Sequence, residues 1–431
     1  MNDTPIPADA APVFSPALDP REGAADATAL LREALGGEPD GVWYAPGRVN
    51  IIGEHTDYNG GLALPIALPH RAYLALRRRE DRMVRLVSSR ARESVDVLDL
   101  DAVGPRGAPG EVHGWSAYIA GVAWALERDG LGPLSGFDAA LVSCVPLGGG
   151  LSSSAALECA AAVALDAVDG LALAGPACAP DDAGRARLVA ACVRAENEVA
   201  GAPTGGMDQS ASLRCRAGRA LRLDCRTGGV EQVPFDLEGA GLALLVIDTR
   251  AEHSLVDGQY GARRAACERA ARALGVELLA DVPPGELDVH LGRLAGCGQA
   301  GAEELVRRTR HVVTEIDRTR RLVALLEDDR PLAGAKLEEV GALMSASHDS
   351  LRDDYECTCP ELDVAVEAAR AARAHGARMT GGGFGGSAIA LVDADAVHAV
   401  AAAVADAYRR EGFNPPAFLD AVPAAPAGRL A

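Results

Sequence analysis

Three short segments of this chain gather polar and glycine residues in patterns that chemistry could use. The first is Pro146-Leu147-Gly148-Gly149-Gly150-Leu151-Ser152-Ser153-Ser154-Ala155, placed between an apolar run and an alanine-rich one. Three glycines let the backbone curl and turn its N–H groups inward. A helix starting after the curl would aim its positive N-terminal end at whatever sits there. The serines add hydroxyls for capping, for phosphate oxygens or for a metal ion. The combination suits the phosphates of a nucleotide. It is not a Walker loop, because the Gly-Lys-Ser/Thr ending is absent. The plain alternative is a strand–turn–helix corner with a serine N-cap.

The second segment is Pro46-Gly47-Arg48-Val49-Asn50-Ile51-Ile52-Gly53-Glu54-His55-Thr56-Asp57-Tyr58-Asn59-Gly60-Gly61. An apolar run ends in a dense cluster of donors and acceptors. A polyhydroxylated ligand needs such a cluster, because each hydroxyl both donates and accepts. The alternative is a polar hairpin turn closed by Asn59-Gly60. The third segment, Met379-Thr380-Gly381-Gly382-Gly383-Phe384-Gly385-Gly386-Ser387, implies a close backbone approach to a ligand or to another loop. A fourth, sparser set is Glu196 with Gly201-Ala202-Pro203-Thr204-Gly205-Gly206-Met207-Asp208-Gln209. An acidic residue after a glycine pair is most often a helix cap or a solvated charge.

These segments need a scaffold, and the periodicities supply one. Residues 1–22 are rich in Pro, Ala and Asp and read as a flexible tail. Ala24–Leu35 reads as a helix stopped by Gly36-Gly37. Strand-like runs follow at Val42–Ala45, Arg48–Gly53, Leu62–Leu68, Met83–Ser88 and Ser94–Leu98. Trp115–Arg128 is helical, with Trp115, Ile119, Val122 and Leu126 on one face. Phe137–Val145 reads as a strand, Ser152 opens a long helix, and Arg185–Val199 forms another. The Gly-flanked stretch Thr227–Gly241 reads as the boundary loop. Beyond it come a strand at Leu242–Ile247, helices near Gly258–Leu274, Ala302–Leu326, Leu337–Ser347 and Leu362–His375, a strand at Ser387–Val392 and a helix at Asp395–Arg410. Helices and strands are interspersed without repeats, which predicts an α+β fold in two domains, 23–235 and 236–431.

Composition narrows the function classes. In 431 residues, 42 Lys and Arg face 61 Asp and Glu, a net charge of −19. Such a surface repels phosphate backbones, so no nucleic-acid partner and no anionic membrane surface is expected. An anionic small molecule needs only a local positive site. Ten cysteines without C-x-x-C spacing read as reduced thiols in a cytoplasmic protein, and no His pair has a zinc spacing. The N-terminus lacks the basic-then-apolar pattern of a signal peptide, and no long uninterrupted apolar run reads as a membrane span.

Taken together, the segments resemble the galactokinase branch of the GHMP small-molecule kinase superfamily, from about residue 40 to 425. Ser347–Glu356 and Cys359-Pro360-Glu361-Leu362-Asp363 also fit that branch. The sugar-loop stretch separates it from the mevalonate and homoserine branches, which share the Gly/Ser loop. The resemblance implies a two-domain GHMP fold with the active site in the cleft between domains. It implies transfer of the ATP γ-phosphoryl group to the C1 hydroxyl of D-galactose, giving galactose 1-phosphate and ADP. Alternatives within reach are a kinase for N-acetylgalactosamine or arabinose, or a galactose sensor without catalysis. A monomer is compatible with all of these, and nothing in the sequence specifies assembly.

The same resemblance implies roles residue by residue. Gly148, Gly149, Gly150, Leu151, Ser152, Ser153 and Ser154 would wrap the ATP phosphates, and Ser154 with Glu196 would hold Mg²⁺. Glu54, His55, Thr56 and Asp57 would bind the sugar, with Gly205 and Tyr260 completing the pocket. Asp208 would be the acid/base residue and Arg48 its charged partner, favouring the ionised carboxylate. Gly382 to Gly386 would close on the phosphates or shape the site from the second domain. Tyr260 follows Thr249-Arg250-Ala251-Glu252-His253-Ser254-Leu255, which is similar to the family's second-domain sugar segment. One departure bears on sugar selectivity. The family usually has Pro-Cys-Gly-x-Met-Asp-Gln, and here Thr204 takes the place of the Cys.

Overall fold

A computed structural model describes residues 11–176, 179–251, 258–298 and 301–430. Three sheets organise it. The first has six strands in the order Gly428–Arg429, Gly41–Asn50, Pro65–Arg78, Phe137–Ser143, Met83–Ser88 and Ala91–Asp99. The second has five, in the order Val13–Phe14, Ala417–Ala421, Leu242–Asp248, Ser387–Asp393 and Gly376–Thr380. A small third sheet joins Leu62–Ala63, Arg219–Asp224 and Val230–Pro234. Most neighbours run antiparallel, and Met83–Ser88 lies parallel to Phe137–Ser143. Mixed helix and strand content in this arrangement is the α+β class.

Helix Ser153–Val168 is the alanine-rich run. It is buried on every side from Ala155 to Asp166, packed on the Gly41–Asn50 and Pro65–Arg78 strands and on neighbouring helices. Small side chains let it sit that deep. Helix Ser116–Arg128 packs against it, with Ile119, Val122 and Leu126 fully buried as their spacing requires.

Several expectations need correction. The two strands expected at Val42–Ala45 and Arg48–Gly53 are one strand, Gly41–Asn50, whose register shifts between Pro46 and Arg48. Pro46 has no N–H to give the ladder, and the irregularity frees Arg48 N to donate to Leu151 O at 3.1 Å. The expected tail is shorter than 1–22. Residues 1–10 lie outside the described residues, but Val13–Phe14 pairs in parallel with Ala417 and Phe418. Helix Pro20–Leu35 begins inside the same stretch, with Asp19 Oδ1 accepting from Arg21 N at 2.8 Å and Pro20 at its first turn. Dividing the chain at 235 therefore leaves two strands on the wrong side. Gly428–Arg429 completes the first sheet, and Val13–Phe14 completes the second. The boundary loop also contains a strand, Val230–Pro234. The helix expected at Arg185–Val199 is an α-helix, Asp182–Arg194, followed by a π-helical turn, Ala195–Ala200.

Candidate active site

The irregular point in strand Gly41–Asn50 places Arg48 where the two halves meet the glycine loop. Its Nη1 donates to Gly150 O at 2.6 Å, and its Nε donates to Asp208 Oδ1 at 2.8 Å. Arg48 is only 4% exposed, so this ion pair is shielded from water on the arginine side. Asp208 sits in the first turn of helix Met207–Arg214, entered through Gly206 in a left-handed conformation. Its second oxygen, Oδ2, accepts from the Ser152 hydroxyl. Ser152 is itself left-handed, at φ 61°, and makes no capping bond to the helix it precedes. The serine N-cap alternative is thus set aside. The Ser152 hydroxyl reaches the carboxylate, so Arg48, Ser152 and Asp208 form one unit.

A cavity of about 120 Å³ opens beside this unit. Arg48, Glu54, His55, Asp57, Glu196, Asp208 and Tyr260 line it, together with Pro203, Thr204, Met207, Gly381 and Gly382. Residues separated by more than 300 positions in sequence thus converge on one pocket. Burial pushes Asp57 up to about 6, and the nearby Asp208 charge adds to the shift. Gly205 lies directly against Asp57. A side chain there would put its Cβ 2.1 Å from Asp57 Oδ2. That contact accounts for glycine at 205 without any special backbone angle.

The polar loop at 53–61 is tied down from the second half of the chain. Glu54 Oε1 accepts from Gly381 N at 2.7 Å, and Glu54 Oε2 pairs with Arg378 Nη1 at 2.9 Å. Asn50 Nδ2 also donates to Glu54 Oε2. Arg378 is fully buried and further donates to Ile51 O at 3.0 Å. Beneath it, Glu315 Oε1 accepts from Gly53 N at 3.0 Å and from Ser347 Oγ at 2.6 Å. The Arg318 and Arg378 charges overcome burial and hold Glu315 down at about 2. His311 reaches Glu54 O with Nε2 at 3.1 Å and Ser350 Oγ with Nδ1 at 3.0 Å. Burial holds it neutral, at about 4. Sequence reasoning missed Arg378, Glu315 and His311. Only their polarity among apolar neighbours could have marked them.

Thr56 is a correction. It is fully buried, and its hydroxyl faces the loop's own backbone, with Gly53 O at 2.9 Å and Leu62 O at 2.8 Å. It clamps the turn and does not line the pocket. His55 and Tyr260 do line it, with ring centroids 5.5 Å apart. Of the segment before Tyr260, Thr249 Oγ1 donates to Gly386 O at 2.6 Å. Glu252, His253, Ser254 and Leu255 lie outside the described residues.

The two glycine-rich loops pack against one another. Ser387 Oγ donates to Gly149 O at 2.6 Å, and a Cβ on Gly381 would stand 2.8 Å from Gly150 O. The third glycine segment therefore shapes the Gly148–Leu151 curl from behind. At the start of the next helix Ser154 lies near enough to Glu196 to oppose the effect of burial on its carboxyl. Glu196 stands in the π-helical turn, 7% exposed, and accepts from Gln209 Nε2. Burial pushes its carboxyl up to about 7, with the Asp208 charge adding to the rise. Among the described residues no three acidic, His or Cys side chains group as a metal cage.

The galactokinase galactose-binding signature matches residues 29–78. The GHMP kinase N-terminal domain matches 117–216, and the GHMP kinase C-terminal description matches 330–410. A galactokinase of Streptomyces coelicolor is 50% identical over 404 residues, covering 93% of this chain and 97% of its own. The Homo sapiens galactokinase is 41% identical over 378 residues, covering 86% and 88%. The crystal structure of Lactococcus lactis galactokinase complexed with galactose superposes with a TM-score of 0.83 at 34% identity, covering 94% of this chain and 98% of that one.

Proposed function

Because the chain belongs to the galactokinase family of the GHMP kinases, we propose that the Arg48–Asp208 pocket is where it binds and phosphorylates galactose. The enzyme is an ATP-dependent sugar 1-kinase. It moves the γ-phosphoryl group of ATP to the C1 hydroxyl of D-galactose and releases ADP and galactose 1-phosphate. One observation carries the assignment of residues. The Asp208 carboxylate, fixed by Arg48 on one oxygen and Ser152 on the other, faces a pocket walled by the sugar loop.

Phosphoryl transfer needs alignment and charge neutralisation more than covalent help from the protein. Asp208 orients the C1 hydroxyl and accepts its proton as the new bond forms. Arg48 serves two parts at once, since it holds Asp208 and also anchors Gly150 of the phosphate loop. A shift of that loop therefore shifts the base. Glu54, His55, Asp57 and Tyr260 receive the sugar, and the Gly148–Ser154 loop receives the phosphates.

Ser154 and Glu196 suit Mg²⁺, a hard cation that takes one or two protein oxygens and keeps water and phosphate ligands. Burial raises the Glu196 carboxyl to about 7, and a cation beside it would favour the ionised form that ligation needs. When bound, the ion neutralises charge on the transferring phosphates. The −19 charge supports a small-molecule enzyme that binds neither nucleic acid nor an anionic membrane, and ten cysteines without C-x-x-C spacing support a cytoplasmic one. Among the described residues no helix is long and apolar enough to cross a membrane. A ³¹P assay with MgATP over galactose, N-acetylgalactosamine and arabinose tests the substrate. Galactose should give the highest kcat/KM, and equal turnover of the three would remove the galactose assignment.

A further inference from the structure

A line of hydrogen bonds runs from the sugar loop into the second half of the chain. His55 Nε2 lies 3.2 Å from Gly382 O, and His55 Nδ1 lies 2.8 Å from the Tyr58 hydroxyl. The Tyr58 hydroxyl is 2.7 Å from the Tyr355 hydroxyl, which in turn is 3.2 Å from Cys267 Sγ. A carbonyl oxygen has no proton to give, so His55 Nε2 carries the proton and donates it to Gly382. Burial keeps the ring neutral, at about 3, which leaves Nδ1 as an acceptor. Tyr58 must then donate to His55. Each hydroxyl has one proton, so Tyr58 accepts from Tyr355, and Tyr355 accepts from the Cys267 thiol. One backbone carbonyl thus sets the direction of four successive bonds.

The line also has mechanical support. Tyr355 is fully buried in a π-helical turn, Leu351–Tyr355, and its ring packs tilted against His55 and His311, with centroids 4.5 Å and 4.6 Å away. Two residues on, Cys357 O accepts from Phe384 N at 2.7 Å, so the same turn holds the glycine loop that carries Gly382. His55 itself sits at φ 61°, in the left-handed region that is uncommon for residues other than glycine.

We propose that Tyr355 and Tyr58 are positioning residues for the sugar, acting through His55. Their one-way chain holds the imidazole in the Nε2–H tautomer, with its donor at the pocket wall beside Gly382. Neither tyrosine lines the pocket. The proposal rests on reading that pocket as the galactose site.

The test combines imidazole ¹⁵N NMR of the full chain with galactose kinetics on Tyr355→Phe, Tyr58→Phe and the double variant. In the wild type, His55 should show the Nε2–H tautomer. Tyr355→Phe should raise KM for galactose about 5- to 10-fold, the loss of one hydrogen bond, with kcat within about twofold and KM for ATP unchanged. The double variant should be no worse than Tyr58→Phe alone, because both act through the same histidine. Multiplying effects in the double variant, a wild-type KM in Tyr355→Phe, or an Nδ1–H tautomer in the wild type would each overturn the proposal. If Tyr355→Phe fails to fold, Cys267 supplies the test. Cys267→Ala should raise KM for galactose and Cys267→Ser should restore it, and equal KM values in the two would count against the chain. A wild type that turns over no galactose would remove the sugar assignment, while its tautomer spectrum would still decide the chain.

Discussion

The sugar loop and the Gly/Ser loop are built in opposite ways. In the sugar loop, side chains do the work and most already have protein partners. Glu54 is held by Arg378, Gly381 and Asn50, Thr56 by its own turn, and His55 by Tyr58 and Gly382. In the Gly/Ser loop the backbone does the work. Gly148, Gly150 and Ser152 take positive φ, and Leu147 stands 58% exposed at its rim. A sugar is recognised by direction, so its donors and acceptors must be aimed before it arrives. Phosphates are recognised by charge and by N–H groups, which a curled backbone offers without side chains. Arg48 joins the two, since it touches both Asp208 and Gly150.

This contrast can be broken experimentally, and the largest effect should come at the join. Asp208→Ala should lower kcat by about 10²- to 10⁴-fold in a coupled ADP-release assay. Turnover near wild type would take Asp208 out of the mechanism. Next comes the buried support of the sugar loop. Arg378→Met leaves Glu54 and Glu315 buried without their shared partner, and should cost about 3–5 kcal/mol in urea unfolding. It should also weaken galactose binding more than ATP binding. An equal loss for both ligands would mean that the two loops are not separately supported.

Acid should reach the sugar side through His311. Its pKa is depressed when folded, to about 4, against about 6.5 when unfolded. The unfolded chain therefore binds a proton first, and stability is lost as pH falls from about 6.5 towards 4. Asp57 and Glu196 are raised and act in the opposite sense over part of this range, so the whole-protein slope masks the histidine's effect. Comparison with His311→Gln isolates it. The wild type should lose up to about 1.4 kcal/mol more per pH unit than the variant, read by chemical denaturation between pH 5 and 7. Parallel slopes would show that His311 is not buried as a neutral ring. The smallest effect belongs to Thr56→Val. It should cost about 1 kcal/mol of stability and leave KM for galactose unchanged. A raised KM would put the hydroxyl back in the pocket.

The two regions also differed in how far sequence could reveal them. The curl of the Gly/Ser loop was readable because Gly148 to Gly150 announce backbone freedom by residue type alone. The place of Ser152 was not, because a left-handed turn sends its hydroxyl to Asp208 instead of the helix. In the sugar loop, composition marked a polar cluster and the family resemblance picked out Glu54, His55 and Asp57, but neither could say which way Thr56 points. Arg378, Glu315 and His311 were hidden more deeply. Each lies more than 250 positions from the loop it supports, and only the packing of the chain's two halves brings them together. Asp19-Pro20 was a legible helix start that the surrounding Pro and Ala obscured. The terminal strands Val13–Phe14 and Gly428–Arg429 are two residues long and carry no period at all.

The most direct test of the account is a crystal structure with galactose and a non-hydrolysable ATP analogue. The C1 hydroxyl should lie about 2.6–3.2 Å from an Asp208 carboxylate oxygen. The γ-phosphate should stand on the far side of that hydroxyl, against the Gly148–Ser154 loop. A sugar bound in the pocket with C1 turned away from Asp208, or bound elsewhere, would contradict it.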